Sequence, residues 1–297
     1  MRTRSRLWIV LVAVACGVTA SAATRQLVDG MGRHVQVPST PHRVVALAPS
    51  ITETIYSIGA GDSVVGVTDF TDWPAEATQR PSVGGIVNPS IEKLVSLRPD
   101  LVIATREVNQ KDTIDELDRL GIPVFVVDPQ GLDGVLESVR QIGRALNRSR
   151  DADRLVDQLR ARRDAVRNRV HGLARPRVLL VIWPDPVITI GRDAFITDVI
   201  NAAGGQSVTA DLAQQYPQIS LEEVLRRNPG WLLLPANGHQ PISLADLERR
   251  PGWDRVDAVR RHRVLYYDER LDHSSPRAFD ALEDIAKQLH ADAFSRP

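Results

Sequence analysis

The stretch SRDADRLVDQLRARRDAVRNRVHG, residues 149–172, decides how the rest of the chain is organised. Acidic residues lie in its first turn and basic residues in its last turn, an arrangement that the helix dipole favours. Gly172 can adopt the left-handed conformation that ends a helix, and Pro176 prevents its continuation. Apolar side chains recur at helical spacing; they are Leu155, Leu159, Val166, Val170 and Leu173. The stretch therefore predicts one uninterrupted helix, about 33 Å long.

The chain before this helix resembles the chain after it. Residues 90–103, SIEKLVSLRPDLVI, align without a gap with residues 220–233, SLEEVLRRNPGWLL, and a strand predicted from Arg43 corresponds to one predicted from Arg177. Each aligned segment begins with a serine that can cap a helix and continues past a proline into an apolar strand. In both halves strands alternate with helices through short loops, which favours mainly parallel sheets.

The repeat predicts an α/β fold in which two related Rossmann-like lobes are joined by one long α-helix. We assign residues 23–148 to the N-terminal lobe, residues 149–173 to the inter-lobe helix and residues 174–297 to the C-terminal lobe. A ligand is expected between the lobes, at the carboxyl ends of the strands. Two capping boxes are also expected, formed by the pairs Ser50–Glu53 and Ser220–Glu223.

Residues 1–22 have the features of a secretory signal peptide, which is absent from a mature protein. They combine a basic end, an apolar run from Leu7 to Val14 that is too short to span a bilayer, and a small-residue cleavage pattern ending at Ala22. A second processing route stays open, because Ala13-Val14-Ala15-Cys16 also resembles a lipoprotein signal with Cys16 lipidated. Both routes predict an exported protein in the periplasm.

The charge of the mature chain argues against nucleic acid as a partner. The signal peptide carries three of the 37 basic residues and no acidic residue, which leaves 34 basic against 37 acidic residues and a formal charge of −3. The single cysteine lies in the signal peptide. Cleavage after Ala22 would therefore give a chain that needs no disulfide in an oxidising compartment.

Catalytic motifs are missing from the sequence. There is no G-x-S-x-G elbow, no Walker loop, and no glycine-rich dinucleotide turn after the first predicted strand. The histidines are scattered, and none has another ligand at a zinc-like spacing, so each is interpreted as a solvated or core residue. They are His34, His42, His171, His239, His262, His273 and His290. We therefore expect no catalytic residue and no metal site.

Aromatic residues in proline-flanked loops are the strongest indication of a ligand. Trp73 follows Asp72 and precedes Pro74, Trp183 precedes Pro184, and Tyr216 lies just before a predicted helix cap. Prolines can hold such rings in fixed loops, which suits the face of a large flat ligand. The alternative is that each ring packs beneath its own loop, and the sequence leaves both possibilities open.

These residues resemble a known family. The segment from Arg43 to His290 looks like the periplasmic cobalamin- and siderophore-binding proteins of ABC importers, the class with a rigid helix between its lobes. The resemblance is carried by VVALAPSITE (residues 44–53), VGG (83–85), PSIEKL (89–94), LRPDLVI (97–103), GG (204–205), SLEEVL (220–225) and SPR (275–277). It implies a non-enzymatic binding protein with two lobes and little closing motion.

Within this family the chain looks most like the cobalamin-binding proteins. Asp72-Trp73 and Tyr216 stand where those proteins carry aromatic residues that touch the corrin ring. The chain departs at Gly84-Gly85, where a well-known member carries tryptophan. Relatives that bind zinc or manganese carry histidine after the first strand, where this chain has Pro49-Ser50, so metal binding is not expected.

The resemblance and the aromatic loops together predict a ligand-binding set. It consists of Pro49, Ser50, Asp72, Trp73, Gly85, Trp183, Tyr216 and Arg277. No cofactor is expected, since the bound molecule would be cobalamin as cargo. The repeat also places Glu92 and Glu222 at equivalent positions, two residues after a capping serine. In the family this implies salt bridges to the arginines of a homodimeric permease in the inner membrane, with the binding protein as a monomer.

Other cargoes and another class of function remain as alternatives. A ferric siderophore or haem would require cationic groups for an anionic ligand, and candidates exist at Arg106, Arg192, Arg270 and Arg277. A tetrapyrrole-related enzyme is a third interpretation, because related two-lobed folds also catalyse reactions. The signal peptide and the missing nucleophile argue against this enzyme.

Overall fold

The N-terminal lobe begins with a hairpin and continues as a parallel sheet with helices. The computed structural model describes residues 23–236 and 241–295. The predicted signal peptide with Cys16 lies outside these ranges, and so does His239. The strands of the lobe are β1 (Thr24–Val28), β2 (His34–Pro38), β3 (Val44–Ala46), β4 (Val64–Gly66), β5 (Leu101–Thr105) and β6 (Val124–Val127). Its helices are α1 (Pro49–Ser57), α2 (Ile91–Ser96), α3 (Lys111–Arg119) and α4 (Gly131–Ala145), with short 3₁₀ turns at Gly61–Ser63 and Ala77–Gln79.

The sheet of this lobe has the strand order β4-β3-β5-β6 and is parallel throughout. All residues of β3, β5 and β6 are buried, because helices cover both faces of the sheet. The strands are accordingly runs of Val, Ile, Leu and Ala rather than alternating patterns.

One long helix, α5 (Ser149–Val170), follows without interruption, as predicted. Gly172 has a φ of +76°, the left-handed conformation expected after the helix. The predicted apolar stripe is wrong at its ends. Leu173 lies beyond the last helical turn and is exposed, and Leu155 is only partly buried. Val156 is fully buried instead, because it shares one helix face with Leu159, Val166 and Val170.

The C-terminal lobe contains a second parallel sheet and a small antiparallel one. Its strands are β7 (Arg177–Leu180), β8 (Trp183–Pro184), β9 (Val187–Ile188), β10 (Gln206–Ser207), β11 (Gln218–Ile219), β12 (Trp231–Pro235) and β13 (Val264–Tyr267). Its helices are α6 (Phe195–Ala202), α7 (Leu221–Arg227), α8 (Leu244–Glu248), α9 (Asp257–Arg260), α10 (Glu269–Asp272), α11 (Ala278–Leu289) and α12 (Ala291–Phe294), with a 3₁₀ turn at Trp253–Arg255. The sequence did not predict the antiparallel sheet β11-β9-β8.

The two parallel sheets share one topology. The order β10-β7-β12-β13 repeats the order β4-β3-β5-β6, so each strand of one parallel sheet has a counterpart in the other. The aligned repeat places α2 and β5 at the positions of α7 and β12. The predicted fold class, two related Rossmann-like lobes joined by a long helix, is confirmed.

Packing holds the two lobes together. A continuous cluster of buried apolar side chains runs from β3 and β5 through α4, α5, α6 and α11 to β7 and β12. The Asp198 carboxylate at α6 accepts a hydrogen bond of 2.8 Å from the Leu132 backbone N–H at α4. Arg162 of α5 also donates to Asp280 and Glu283 of α11, at 2.5 and 2.7 Å. The lobes therefore share one core rather than meeting through a bare linker.

The predicted caps are only partly correct. Ser90 and Ser220 each accept a hydrogen bond from a backbone N–H of the helix they begin. The two capping boxes are wrong. Ser50 lies inside α1, whose cap position is Ala48, and the Glu223 carboxylate binds Arg226 and Arg227 rather than its own helix start.

None of the helices in the described part of the chain combines the length and the hydrophobicity that crossing a bilayer requires.

Candidate functional site

Loops at the carboxyl ends of the parallel strands meet across the two lobes. The loops after β3, β4 and β5 of the N-terminal lobe all contact the segment after β13 of the C-terminal lobe. In α/β sheets this edge is where ligands bind, because loops and helix starts converge there. We call the group formed by Glu53, Asp72, Trp73, Glu107, Tyr216, Asp272, His273 and Arg277 the inter-lobe cluster.

Glu53 of α1 lies at the centre of the inter-lobe cluster. Its side chain is fully buried, and its carboxylate accepts hydrogen bonds from Ser275 and, at 3.1 Å, from Arg277. The same carboxylate lies 2.8 Å from the Nδ1 of His273. All three partners belong to the other lobe. Removing one partner of such a buried ion pair typically costs about 3–5 kcal/mol, since the remaining charge stays desolvated.

Arg277 contacts Trp73, another of the predicted ligand-binding residues. Its guanidinium lies 5.1 Å from the ring centroid of Trp73, which belongs to the opposite lobe. It also lies 3.7 Å from the carboxylate of Glu269. A cation over an indole face is stabilised by the negative face of the ring. Arg277 therefore orders Trp73 while it neutralises Glu53.

Glu107, after β5, places a second carboxyl group in the cluster. Its carboxylate accepts a 2.7 Å hydrogen bond from the hydroxyl of Ser274 in the C-terminal lobe. Burial raises the pKa of Glu107 to about 7, and the charge of Asp128 adds to the shift, while Ser274 and His273 oppose it. Near neutral pH this carboxyl group is therefore divided between its two protonation states.

Asp72 and Asp272 both lie close enough to His273 for their charges to affect it. Asp272 is exposed at the residue level, yet desolvation of its carboxyl group raises its pKa to about 6. Burial alone would lower the pKa of His273, but the hydrogen bond and charge of Glu53, together with the charges of Asp72 and Asp272, outweigh burial and raise it. One potential ligand atom each from Glu53, Asp72 and His273 lies within 4.8 Å of the others.

Tyr216 reaches the cluster from the C-terminal lobe. Backbone hydrogen bonds on both sides hold its loop, from Thr189 N–H to Pro217 at 3.1 Å and from Gly191 N–H to Gln215 at 2.9 Å. The residue is 58% exposed. Desolvation of its hydroxyl raises the pKa of Tyr216, and so do the charges of Glu107 and Asp272. The ring therefore offers an open face while its hydroxyl lies near a carboxyl group of the other lobe.

Four predicted binding residues lie outside the inter-lobe cluster. Pro49 and Ser50 are buried at the start of α1 and offer little side-chain surface. A Cβ built on Gly85 would meet no atom within 4 Å, so this backbone faces open space. Trp183 donates a 2.8 Å hydrogen bond to the Asp185 carbonyl in its own loop. It borders a cavity of about 310 Å³ lined by the C-terminal lobe.

Sequence reasoning missed four members of the cluster, namely Glu53, Glu107, Asp272 and His273. Glu53 was assigned to a capping box, and His273 was interpreted as a solvated or core residue. The structure adds that the His273 ring, only 18% exposed, contacts a buried carboxylate of the other lobe. The available signal was that Glu53 ends one family motif and that His273 lies two residues before another.

The two predicted docking residues lie on the same side of the molecule as the cluster. Glu92 and Glu222 are exposed in the first turns of α2 and α7. Each helix leads into a strand of a parallel sheet and runs antiparallel to that strand. Its N-terminus therefore lies at the carboxyl edge of the sheet. Hydrogen bonds from its own backbone and from Ser220 lower the pKa of Glu222 and keep it anionic.

Comparison with known proteins identifies several with the same architecture. Residues 44–271 match the family described as periplasmic binding protein. An uncharacterized ABC transporter substrate-binding lipoprotein of Bacillus subtilis, YvrC, is 30% identical over 318 residues, and the match covers 99% of each chain. A vitamin B12-binding protein of Pectobacterium carotovorum is 27% identical, and that match covers 84% of this chain and 89% of the relative.

A solved structure supports the same assignment. The periplasmic haem-binding protein RhuT of Roseiflexus sp. RS-1, in its apo form, superposes with a TM-score of 0.77 at 28% sequence identity. The superposition covers 85% of this chain and 99% of that protein. The names of the Pectobacterium and Roseiflexus proteins thus state two different ligands, vitamin B12 and haem.

Proposed function

The chain belongs to the periplasmic binding protein family, and from this premise we propose that it captures a corrinoid between its lobes and delivers it to an ABC permease. Like its family and relatives, the protein is a substrate-binding component of an ABC transporter and not an enzyme. The observation that carries the corrinoid proposal is the pair of aromatic rings, Trp73 and Tyr216, which the two lobes contribute to one cluster.

A large flat cargo suits this pair of rings. Aromatic side chains give extensive apolar contact at a low cost in conformational entropy, because each has only two side-chain torsions. Trp73 is already ordered by Arg277, and the Tyr216 loop is held by backbone hydrogen bonds. Groups ordered before binding lose little entropy on binding. A Cβ added at Gly85 would meet no atom within 4 Å, so no side chain crowds this backbone.

The charge of the cluster favours a cargo without strong negative charge. Its carboxyl groups outnumber its basic groups, and Arg277 is already paired with Glu53. A corrin carries neutral amide side chains, which can donate to carboxylates such as Glu107. An anionic ligand would instead be repelled by these carboxylates.

The other arginines that could have served an anionic cargo are engaged elsewhere. Arg106 pairs with Asp128 at 2.9 Å, and Arg270 pairs with Asp268 and Asp284. Arg192 donates to the backbone carbonyl of Asp211. A ferric siderophore would have to share one of these groups with its present partner. This is the physical reason to rank the siderophore below the corrinoid.

Haem is the second candidate, because the superposed Roseiflexus protein is named as a haem-binding protein. Haem is also large and flat, so the aromatic pair alone does not separate it from a corrinoid. Its propionates are anionic, and the excess of carboxyl groups in the cluster opposes them.

Glu92 and Glu222 are proposed as the contacts with the permease. They form a symmetric pair of anionic side chains that flank the cleft, and a homodimeric permease offers two copies of one basic surface. Charge pairs at the rim of an interface mainly set the encounter rate and the register. Export to the periplasm, with cleavage after Ala22 or lipidation of Cys16, is part of the same proposal. The name of the Bacillus relative supports the lipidated route.

Ligand exchange on the purified protein tests the cargo. The protein is incubated separately with cyanocobalamin, haem and ferric chelates, desalted and examined by absorption spectroscopy, and affinities are measured by calorimetry. We expect cyanocobalamin to be retained at about one per chain. Trp73→Ala and Tyr216→Ala should each weaken its affinity by about tenfold, equivalent to 1.4 kcal/mol. Tyr266→Ala removes an exposed ring outside the cluster and serves as the control. Retention of haem or a ferric chelate without any corrinoid would refute the proposal.

A further inference from the structure

We propose that the Nε2 atom of His273 coordinates the metal ion at the centre of the cargo. The inference rests on the proposed function and goes beyond it, because it assigns a chemical bond between this chain and the cobalt of a corrinoid. It is carried by one imidazole that is held at Nδ1 by a buried carboxylate and has no recorded partner at Nε2 among the described residues.

The buried carboxylate defines which nitrogen of His273 is available. Nδ1 lies 2.8 Å from the Oε1 of Glu53, whose side chain is completely buried. With the proton on Nδ1, this contact is a hydrogen bond from the imidazole to the carboxylate, and the lone pair is on Nε2. Carboxylate–histidine–metal arrangements in proteins have this form, in which the carboxylate orients the ring and makes the ligating nitrogen more basic. Glu53 is held in turn by Ser275 and Arg277.

The second nitrogen of His273 is free to bind. Within residues 23–236 and 241–295, no hydrogen bond or ion pair to Nε2 is found. A few side-chain nitrogen and oxygen atoms in this part of the chain are fully buried and have no hydrogen-bond partner, and Nε2 of His273 is not one of them. The atom is therefore accessible to solvent, in a side chain that is only 18% exposed. The ring is thus fixed at one nitrogen and open at the other.

A bare metal ion fits this position less well than a metal inside a macrocycle. Glu53, Asp72 and His273 could approach a common ion. However, the guanidinium of Arg277 lies 3.1 Å from the same Glu53 oxygen, and its charge opposes a second cation there. A corrinoid supplies four ring nitrogens to its cobalt and needs only an axial ligand from the protein. A single accessible imidazole nitrogen can fill that position.

The coordination step is a ligand exchange. In a corrinoid whose cobalt(III) carries water in an axial position, such as diaquocobinamide, the Nε2 lone pair of neutral His273 forms a bond to cobalt, and that water molecule leaves with its own electron pair. The Nδ1 proton stays in the hydrogen bond to Glu53. No group is oxidised or reduced, and no co-reactant is needed.

Cobinamide is a suitable probe, because this corrinoid lacks the nucleotide base that occupies one axial position in cobalamin. The protein is loaded with diaquocobinamide, and the absorption spectrum is recorded before and after binding. The sample is then reduced to cobalt(II) and examined by electron paramagnetic resonance. We expect a shift of the absorption bands on binding and a nitrogen triplet splitting in the resonance spectrum, since one axial nitrogen couples to the unpaired electron.

Two variants distinguish the loss of the cobalt–nitrogen bond from the loss of cobinamide binding. His273→Gln keeps a polar side chain next to Glu53 but has no ligating lone pair on nitrogen, so the triplet should disappear while cobinamide still binds with roughly tenfold lower affinity. His262→Ala removes an exposed histidine elsewhere and should leave the triplet unchanged. Cobinamide that binds without the triplet, or a triplet that survives in His273→Gln, would refute the inference and leave the proposed function intact. A protein that binds no corrinoid would refute both.

Discussion

Glu53 illustrates how one buried residue can link distant parts of the chain. It belongs to the first helix of the N-terminal lobe, yet its partners His273 and Arg277 lie 220 and 224 residues later in the sequence. A desolvated carboxylate is tolerated only when it is paired and hydrogen-bonded. The position of Glu53 therefore requires the loop after β13 to be in place, and the cluster forms only when both lobes have folded.

Glu107 makes stability depend on pH in a defined direction. Its pKa is about 7 in the folded protein and 4.5 ordinarily, so the folded state binds more protons than the unfolded state between these values. Its contribution to stability is therefore fully present below pH 4.5 and is lost as the pH rises through 7. Glu107→Gln removes this loss and should raise the free energy of unfolding at pH 8 by roughly 2 kcal/mol. Little difference from the wild type is expected at pH 4.

Urea denaturation at the two pH values measures this difference. The variant Glu116→Gln alters an exposed glutamate of α3 and is the matched control, with no change expected at either pH. If Glu107→Gln shifts stability by the same amount at pH 4 and pH 8, the effect does not come from ionisation of Glu107.

At the scale of elements, α5 determines how far the lobes can move. The helix contains neither proline nor glycine between Ser149 and Val170, and such helices bend sharply only at those residues or at bulges. It also packs against α4 on one side and α11 on the other. Closure on ligand should therefore be small, because rotation of one lobe would break the shared apolar core.

An interruption in the middle of α5 tests this role. Gln158 is exposed near the centre of the helix, so its side chain contributes little to the core. Gln158→Pro removes a backbone hydrogen bond and should reduce the free energy of unfolding by about 3 kcal/mol, whereas Gln158→Ala should be nearly neutral. Small-angle scattering should show almost no ligand-induced change in radius of gyration for the wild type. A large decrease for the wild type would contradict the rigid-helix interpretation.

At the scale of the whole molecule, the internal repeat gives the two lobes parallel sheets of the same strand order. Equivalent helices α2 and α7 present Glu92 and Glu222 on the side of the cleft. A symmetric partner can contact both lobes with the same residues of its two subunits. The cleft between the lobes would then lie over the centre of that partner. Repeated architecture thus provides a simple basis for delivery of cargo along one axis.

Charge reversal at both sites tests the docking proposal. Glu92→Arg combined with Glu222→Arg should abolish uptake in cells, because two attractive contacts become repulsive. Cargo affinity and melting temperature should stay close to the wild-type values, since both side chains are exposed and outside the cluster. Uptake is measured with labelled cobalamin, alongside calorimetry on the purified variant.

A double reversal elsewhere provides the matched control. Glu116→Arg with Glu248→Arg changes the net charge by the same amount, using one exposed glutamate in each lobe away from the first turns of α2 and α7. This control should transport normally. Normal transport by the Glu92 and Glu222 variant, or failure of that variant to bind cargo, would contradict the docking role.

The sequence by itself determined the two lobes, the long helix and the caps at Ser90 and Ser220. These features follow from local interactions, since apolar periodicity, capping side chains and the repeat depend on residues near one another in the chain. Trp73, Tyr216 and Arg277 were also predicted, through their loops and the family resemblance, and they lie in the inter-lobe cluster; their role in binding stays a prediction. The end of the α5 stripe at Leu173 was wrong because its periodicity continued past the point where the helix stops.

Only the tertiary structure decided which of these loops meet. Glu53 lies in helix α1, and Glu107 and His273 lie in loops; nothing local indicates that they would come together. Their contacts depend on the orientation of one lobe relative to the other about α5, which is set by packing of the shared core. Burial and charge act at short range. The raised pKa of Glu107 and the orientation of the His273 ring against Glu53 therefore depend on that packing.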